Sequence, residues 1–243
     1  MPLSNGMQKV QDIDNFEKKT NLNFKNKDLL KQAFVHRSYI NENRGFSLGH
    51  NERLEFLGDA VLELVITDYL YRKYTDKTEG EMTSLRSAVV NANTLYVVAV
   101  DLGVNDYLLL SRGEAKDTGR ARQYILANTM EAIIGAIYID LGYEKTKEFV
   151  YKCITPLIEK VIEEKTWIDS KSLFQERSQD EVSITPSYKT IKETGPDHDR
   201  HFTIGVYLKD ELVATGEGKS KQDAEQDAAR RALEEKGWNS QRS

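Results

Sequence analysis

Asn51-Glu52-Arg53-Leu54-Glu55-Phe56-Leu57-Gly58-Asp59-Ala60-Val61-Leu62-Glu63 is the stretch on which the reading of this chain turns. Apolar residues at Leu54, Leu57, Val61, Leu64 and Val65 recur at helical spacing. On that helix Glu52, Glu55, Asp59 and Glu63 follow one another at intervals of 3, 4 and 4 and share one face. No lysine interleaves them, and Arg53 points elsewhere. Like charges at these spacings cost about 0.2–0.5 kcal/mol per pair. For a single acid pair a solvated face is the ordinary outcome. Here the acids sit among apolar neighbours without compensating lysines, and such a row calls for a cation set against it.

The second informative stretch runs from Ile125 to Asp140, where Glu131 stands almost alone in an apolar helix with Asn128 one turn before it. A carboxylate buried there needs a partner, because an unpaired buried charge is very costly. A divalent cation shared between the two helices meets both demands. Ligands that are all oxygen favour Mg²⁺, with Mn²⁺ as a substitute, over zinc. The four histidines, at 36, 50, 198 and 201, are too scattered for a zinc site. An acid-rich Mg²⁺ site without a paired Ser or Cys nucleophile suits phosphodiester hydrolysis. Glu79, in Thr78-Glu79-Gly80-Glu81, is a further acid ahead of a helix, and alone reads more simply as part of a cap. Gly58 and Gly135 lie inside the two helices, where each glycine costs up to about 1 kcal/mol. Close helix–helix approach would explain keeping one in each.

At 243 residues the chain is long enough for two domains. Charged residues make up 30% and hydrophobic ones 39%, as in a globular protein with charge-rich exposed helices. Cys153 is the single cysteine, so no disulfide forms within the chain and a reducing cytoplasm is the expected setting. Residues 1–20 lack the apolar core of a signal peptide, and no apolar run approaches the roughly 20 residues that span a bilayer. The expectation is therefore no membrane partner. The net charge of −5 argues weakly against nucleic acid, so any cations that bind it must be clustered.

Residues 1–166 read as one helical domain, mostly helical from residue 10, without proline between Pro2 and Pro156. Residues 111–122 read as a polar loop. Residues 167–243 change character. Helix 171–180 is followed by alternating stretches at 188–193, 201–209 and 212–218 and by an alanine-rich helix 221–236 ended by Gly237. The expected fold class is an all-α domain followed by a small α+β domain of order α-β-β-β-α.

Residues 51–62 resemble, over a dozen contiguous positions, the signature stretch of the ribonuclease III family. His36-Arg37-Ser38-Tyr39, Thr78-Glu79-Gly80 and the Ile125–Asp140 segment agree with it. The resemblance covers essentially the whole chain. It implies a dimerising, all-helical endonuclease domain and Mg²⁺-dependent hydrolysis of double-stranded RNA. The products would carry 5′-phosphates and short 3′ overhangs, and the substrates would be duplex stems in ribosomal and other precursor RNAs. By position, Glu55, Asp59 and Glu131 fall on the family's catalytic and metal-binding carboxylates. Glu52 and Glu79 fall on supporting acids of the cleft. Phe56 falls on the aromatic that inserts into the partner subunit of a homodimer. On this reading Glu55, Asn128, Glu131 and Asp59 hold the metal, and Asp59 and Glu131 also activate the attacking water. No small-molecule cofactor is implied.

The chain departs from the pattern at Asn128, where the family usually has Asp. An amide keeps one oxygen ligand and loses the charge. Three accounts stay open: a tolerated natural variant, an engineered substrate trap, and a double-stranded RNA-binding protein with impaired cleavage. Other helical metallohydrolases are disfavoured. His198-Asp199 has no partner histidine in the helical part, and no Glu-x-x-His motif for a di-iron bundle occurs.

The α-β-β-β-α segment resembles a double-stranded RNA-binding domain through three patches. The first helix carries Ser172, Gln175, Glu176 and Gln179 on one face. The loop Thr194-Gly195-Pro196-Asp197-His198 follows the first strand. Lys219, Lys221 and Gln222 stand at the start of the last helix. Short polar side chains and a loop histidine suit the wide minor groove with its 2′-hydroxyls. Lysines at a helix start face phosphates. The family's usual pair of adjacent lysines is here Lys221-Gln222. Residues 169–243 hold 12 Lys+Arg against 15 Asp+Glu, so most of the acids should face away from the duplex.

Overall fold

In a computed structural model of the chain, residues 11–163, 167, 169–196 and 200–238 are described. The chain divides into two units, Met1–Trp167 and Ile168–Ser243. The first holds α1 (Ile13–Thr20), α2 (Lys27–Ala33), α3 (Arg37–Glu42), α4 (Glu52–Lys73), α5 (Glu79–Val89), α6 (Ala92–Asp101), α7 (Arg120–Leu141), α8 (Tyr143–Cys153) and α9 (Thr155–Glu163). Short 3₁₀ turns stand at Val104–Tyr107 and Glu114–Lys116. The polar stretch 111–122 is thus not all loop. Arg120 to Arg122 already belong to α7, whose first turn is held by a side chain described below.

The centre of this unit is the pair α4 and α7. Leu54, Val61, Leu62, Val65, Ile66 and Leu70 of α4 are buried, as are Leu126, Met130, Ile133, Ile134 and Ile137 of α7. α7 is 22 residues long and apolar enough, by length and composition alone, to cross a bilayer. Its apolarity has a nearer cause, since those side chains fill the protein core. At one end Phe16, Phe34 and Tyr107 pack ring against ring at 5.3–5.4 Å between centroids.

The second unit has α10 (Ser170–Val182), β1 (Ser187–Thr194), β2 (His201–Leu208), β3 (Glu211–Gly218) and α11 (Lys221–Glu235). The sheet is antiparallel in the order β1-β2-β3. Strand β2 buries Phe202, Ile204, Val206 and Leu208, the period-2 pattern of a sheet with one covered face. The turn to β3 places Lys209 at φ 54°, a left-handed position taken here by a non-glycine residue. Gly216 and Gly218 let α11 lie directly on β3. A Cβ on Gly216 would stand 2.0 Å from the Ala228 nitrogen, and one on Gly218 2.5 Å from the Ala224 nitrogen. That contact explains the alanine-rich helix, whose Ala224, Ala228, Ala229 and Ala232 are fully buried.

Candidate functional site

Two glycines set the distance between the acid-bearing helices. A Cβ on Gly58 would sit 1.8 Å from the Glu131 carbonyl oxygen, and one on Gly135 2.2 Å from the Leu54 carbonyl oxygen. Neither position has room for it, so the backbones of α4 and α7 touch where they cross. The helix propensity lost at each glycine is offset by the packing this contact allows.

Each helix is fixed at its start by an anchor rather than a side-chain cap. Asn51 is buried and makes no capping bond to α4. Its side-chain amide donates to the Ala33 carbonyl at 3.1 Å, and its N–H to Val35 at 2.9 Å. Arg122, also buried, donates to Asn105 Oδ1 at 3.0 Å and to the Glu114 carbonyl. These bonds hold the first turn of α7 against the segments before it.

The crossing brings Glu55, Asp59 and Glu131 within electrostatic reach of one another. Burial pushes the Glu131 carboxyl up to about 7, and the charges of Asp59 and Glu55 add to the rise. Glu55 is raised as well, by burial first and then by Glu52 and Asp59. No cation acts on either group among the described residues. Glu131 is half-buried rather than sealed in the core. It meets the cost of its position by drawing its proton toward neutral pH. Asn128 lies half-buried one turn away on the same helix.

Among the described residues, no three His, Cys, Asp or Glu side chains converge as a ready metal cage. Of the expected ligand set, Glu55, Asp59 and Glu131 lie within electrostatic reach of one another and Asn128 stands one turn along α7 from Glu131, without the convergence of a closed shell. Mg²⁺ keeps several waters and takes only one or two protein carboxylates plus substrate oxygens. Hard oxygen donors, part burial and missing counter-charges all fit such an ion.

The supporting acids are placed differently. Glu52 is exposed at the start of α4, with Arg37 Nη1 at 3.5 Å and His50 Nδ1 at 3.8 Å. The capping box of α5 is made by Thr78 and Glu81. Glu79 stands outside it and accepts from Thr83 Oγ1 at 3.1 Å. It is not among the charges that shift Glu131 or Glu55. Phe56 is 82% exposed on α4, an apolar side chain without cover in the single chain.

In the second unit Ser172, Gln175, Glu176, Gln179 and Asp180 line one open depression along α10. The Ser172 hydroxyl is already committed, donating at 2.7 Å to Asp169, whose other oxygen accepts the Ser172 N–H. Lys219, Lys221 and Gln222 are exposed at the start of α11, where Ser220 is the cap. Lys221 Nζ stands 5.8 Å from the centre of the Phe202 ring. His198 lies outside the described residues.

Comparison with known proteins shows the family of both units. Residues 26–158 match the family model described as ribonuclease-III-like, and residues 170–236 that of the double-stranded RNA binding motif. The chain is 42% identical over 226 residues to "Ribonuclease 3" of Borreliella burgdorferi, across 93% of this chain and 92% of that one. To the protein of the same name in Carboxydothermus hydrogenoformans it is 43% identical, across 92% and 95%. The chain belongs to the ribonuclease III family. A crystal structure of the ribonuclease III nuclease domain from Campylobacter jejuni superimposes with a TM-score of 0.54 at 38% identity, covering 62% of this chain and 96% of that one.

For a member of this family, several contacts had no signal in the sequence. The anchors Asn51 and Arg122 join residues 18 and 17 positions apart. Asp140 accepts the N–H groups of Lys25 and Asn26 at 2.6 and 3.1 Å and so ties the end of α7 to the start of α2. Lys171 pairs with Glu225 at 2.6 Å and lies 5.0 Å from the Tyr188 ring centre, fastening α10 to α11. Each joins segments far apart in the chain, so no spacing rule reaches it.

Proposed function

We propose that this double-stranded-RNA endoribonuclease of the ribonuclease III family works through Glu55, Asp59, Asn128 and Glu131 as the divalent-cation site. The observation that carries the reading is the set of carboxylates facing each other across the Gly58–Gly135 contact with no described cation to balance them. Mg²⁺ is the ion proposed, with Mn²⁺ as a substitute. When bound, it supplies charge neutralisation at the phosphodiester and lowers the pKa of a water. Asp59 and Glu131 orient the attacking water through their carboxylate oxygens, and Glu55 and Asn128 complete the oxygen set. The touching backbones hold these donors in register. Glu52 keeps Arg37 at the rim of the cleft, and Glu79 is proposed as a further acid of the assembled site.

The products proposed are 5′-phosphate ends with short 3′ overhangs, and the substrates duplex stems of ribosomal and other precursor RNAs in the cytoplasm. Phe56 is the proposed anchor of a homodimer. An aromatic side chain 82% exposed gains its full apolar burial only against a partner. Crystallographic work on the Campylobacter jejuni nuclease domain is described as concerning a region involved in dimer formation. Substituting Phe56→Ala is expected to shift the sedimentation of the chain toward monomer. In the RNA-binding unit, Gln175, Glu176 and Gln179 with Ser172 are proposed to face the minor groove. Lys219, Lys221 and Gln222 would face phosphates, and His198 is proposed as a further contact to the duplex. The nearest test is cleavage of a long duplex RNA with Mg²⁺ by this chain and by Asn128→Asp. Comparable rates are expected, because an amide oxygen serves as a ligand. Failure of both to cut with any divalent ion would sink the reading.

A further inference from the structure

The face of α7 that carries Glu131 does not stop at Asn128. At 3.6 residues per turn, Arg120, Tyr124, Asn128 and Glu131 form one stripe. Tyr124 is seven residues before Glu131, about 10 Å down the helix axis and nearly in line with it. Exposure rises along the stripe: Glu131 and Asn128 are half-buried, Tyr124 is 49% exposed and Arg120 is exposed. The stripe thus leads from the carboxylates out to solvent.

Its outer end carries a cation and an aromatic ring together. The Arg120 guanidinium lies 6.0 Å from the centre of the Tyr124 ring. Among the described residues Arg120 has no carboxylate partner, so its charge is available to an anion. The other arginine of this turn, Arg122, points inward and is bonded to Asn105 and Glu114. An RNA strand approaching the acids is repelled by Glu52, Glu55, Asp59, Glu63 and Glu131. Arg120 is the cation that α7 itself sets against that repulsion.

We propose that Arg120 and Tyr124 form a positioning subsite for the ribose–phosphate backbone flanking the cut. Arg120 donates to a phosphate oxygen. Tyr124 lays its ring on a ribose, and its hydroxyl bonds to the 2′-OH. In a duplex the bases are stacked and the minor groove offers ribose hydroxyls, so sugar rather than base is the surface a tyrosine meets. The subsite rests on the endonuclease reading above and adds to it a contact that distinguishes RNA from DNA beside the cut.

The test uses the full chain, Mg²⁺ and a short duplex with one cut site. A matched series replaces single flanking nucleotides by their 2′-deoxy forms. Both residues are on the surface, so Tyr124→Ala and Arg120→Ala should melt like the unaltered chain. Each is expected to raise KM roughly fivefold to tenfold, the worth of about one hydrogen bond, with kcat changed much less. Arg120→Lys should recover most of the loss, since a phosphate accepts either cation. One 2′-deoxy position should weaken the unaltered chain but not Tyr124→Phe, which has already lost the hydroxyl. Unchanged KM values overturn the subsite, as does a 2′-deoxy penalty that persists in Tyr124→Phe. A shift of Tyr124→Ala to monomer in sedimentation overturns it too, by making the ring a subunit contact. If the unaltered chain does not cut, the endonuclease reading falls and the subsite with it. If it cuts and the variants behave as it does, the subsite falls alone.

Discussion

Two sets of carboxylates, one in each unit, are treated in opposite ways, although the nuclease unit also pairs acids elsewhere, as Asp68 with Arg72 and Lys147. In the RNA-binding unit the acids at helix contacts are paired. Asp227 lies 2.6 Å from Arg230 and 2.9 Å from Arg231 and accepts the Glu217 N–H at 3.0 Å. Burial opposes its ionisation, but these partners outweigh it and hold the carboxyl below its usual range. Asp169 is lowered in the same way, with burial opposed by Gln226 and Ser172. Among the described residues of the nuclease unit, the charges that act on Glu131 are Asp59 and Glu55, those that act on Glu55 are Glu52 and Asp59, and both carboxyls are raised. Both units bring backbones together through glycine, at Gly58 and Gly135 in one and at Gly216 in the other. The shared device is packing. The difference lies in what surrounds it: paired acids serve stability, and unpaired acids at a close contact mark the place where an external cation belongs.

The contrast breaks most decisively at the unpaired acids. Glu131→Gln and Asp59→Asn should each lower kcat by about 10²–10⁴-fold while duplex binding in a gel-shift assay survives. Near-normal cutting by either variant would mean the unbalanced acids are not the site. The glycine contacts come next. Gly135→Ala should destabilise the nuclease unit, and Gly216→Ala the RNA-binding unit, by about 1–3 kcal/mol or more, because the atoms met are backbone. Calorimetry should show each variant lowering its own transition. If both transitions move together, the units do not melt independently.

The pH response should differ in sign between Glu131 and Asp227. Without divalent ions, Glu131 keeps its proton in the fold up to about 7, whereas an ordinary glutamate loses it near 4.5. Its contribution is therefore present below about pH 4.5 and is lost as pH rises through about 7. Read as the melting difference between the unaltered chain and Glu131→Gln, stability should favour the variant increasingly from pH 5 to 8, and Mg²⁺ should narrow the gap at pH 8. A gap that shrinks with rising pH would contradict the raised carboxyl. Asp227 acts the other way. Its contribution holds above the ordinary aspartate value of 3.8 and is lost as acid takes the pH down through its lowered folded value. The smallest effect expected is that of Asp227→Asn, about 1 kcal/mol off the RNA-binding unit at pH 7 and progressively less as the pH falls below 3.8, measured by thermal melts.

Much of this was legible in the chain because it is local. Intervals of 3 and 4 place Glu52, Glu55, Asp59 and Glu63 on one helix face, and period-2 alternation marks β2. A glycine inside each of two apolar helices already pointed to close approach. What was not legible is pairing across distance. The polar composition of 111–122 reads as a loop, yet α7 starts at Arg120, because the buried Arg122 finds Asn105 and the Glu114 carbonyl. Glu79 reads as a cap residue, yet the capping box goes to Thr78 and Glu81.

The sequence by itself determined the helices and strands, the acid stripe and the family, since each follows from short-range periodicity or from a contiguous motif. Only the tertiary structure decided which acids meet, which are balanced and which are not. Charge balance depends on side chains brought together from distant positions, and the cost of a carboxylate depends on the water that folding removes from around it. Glu131 and Asp227 are both acids on helices. One is raised to about 7 and the other lowered, and that difference exists only once the chain has closed around them.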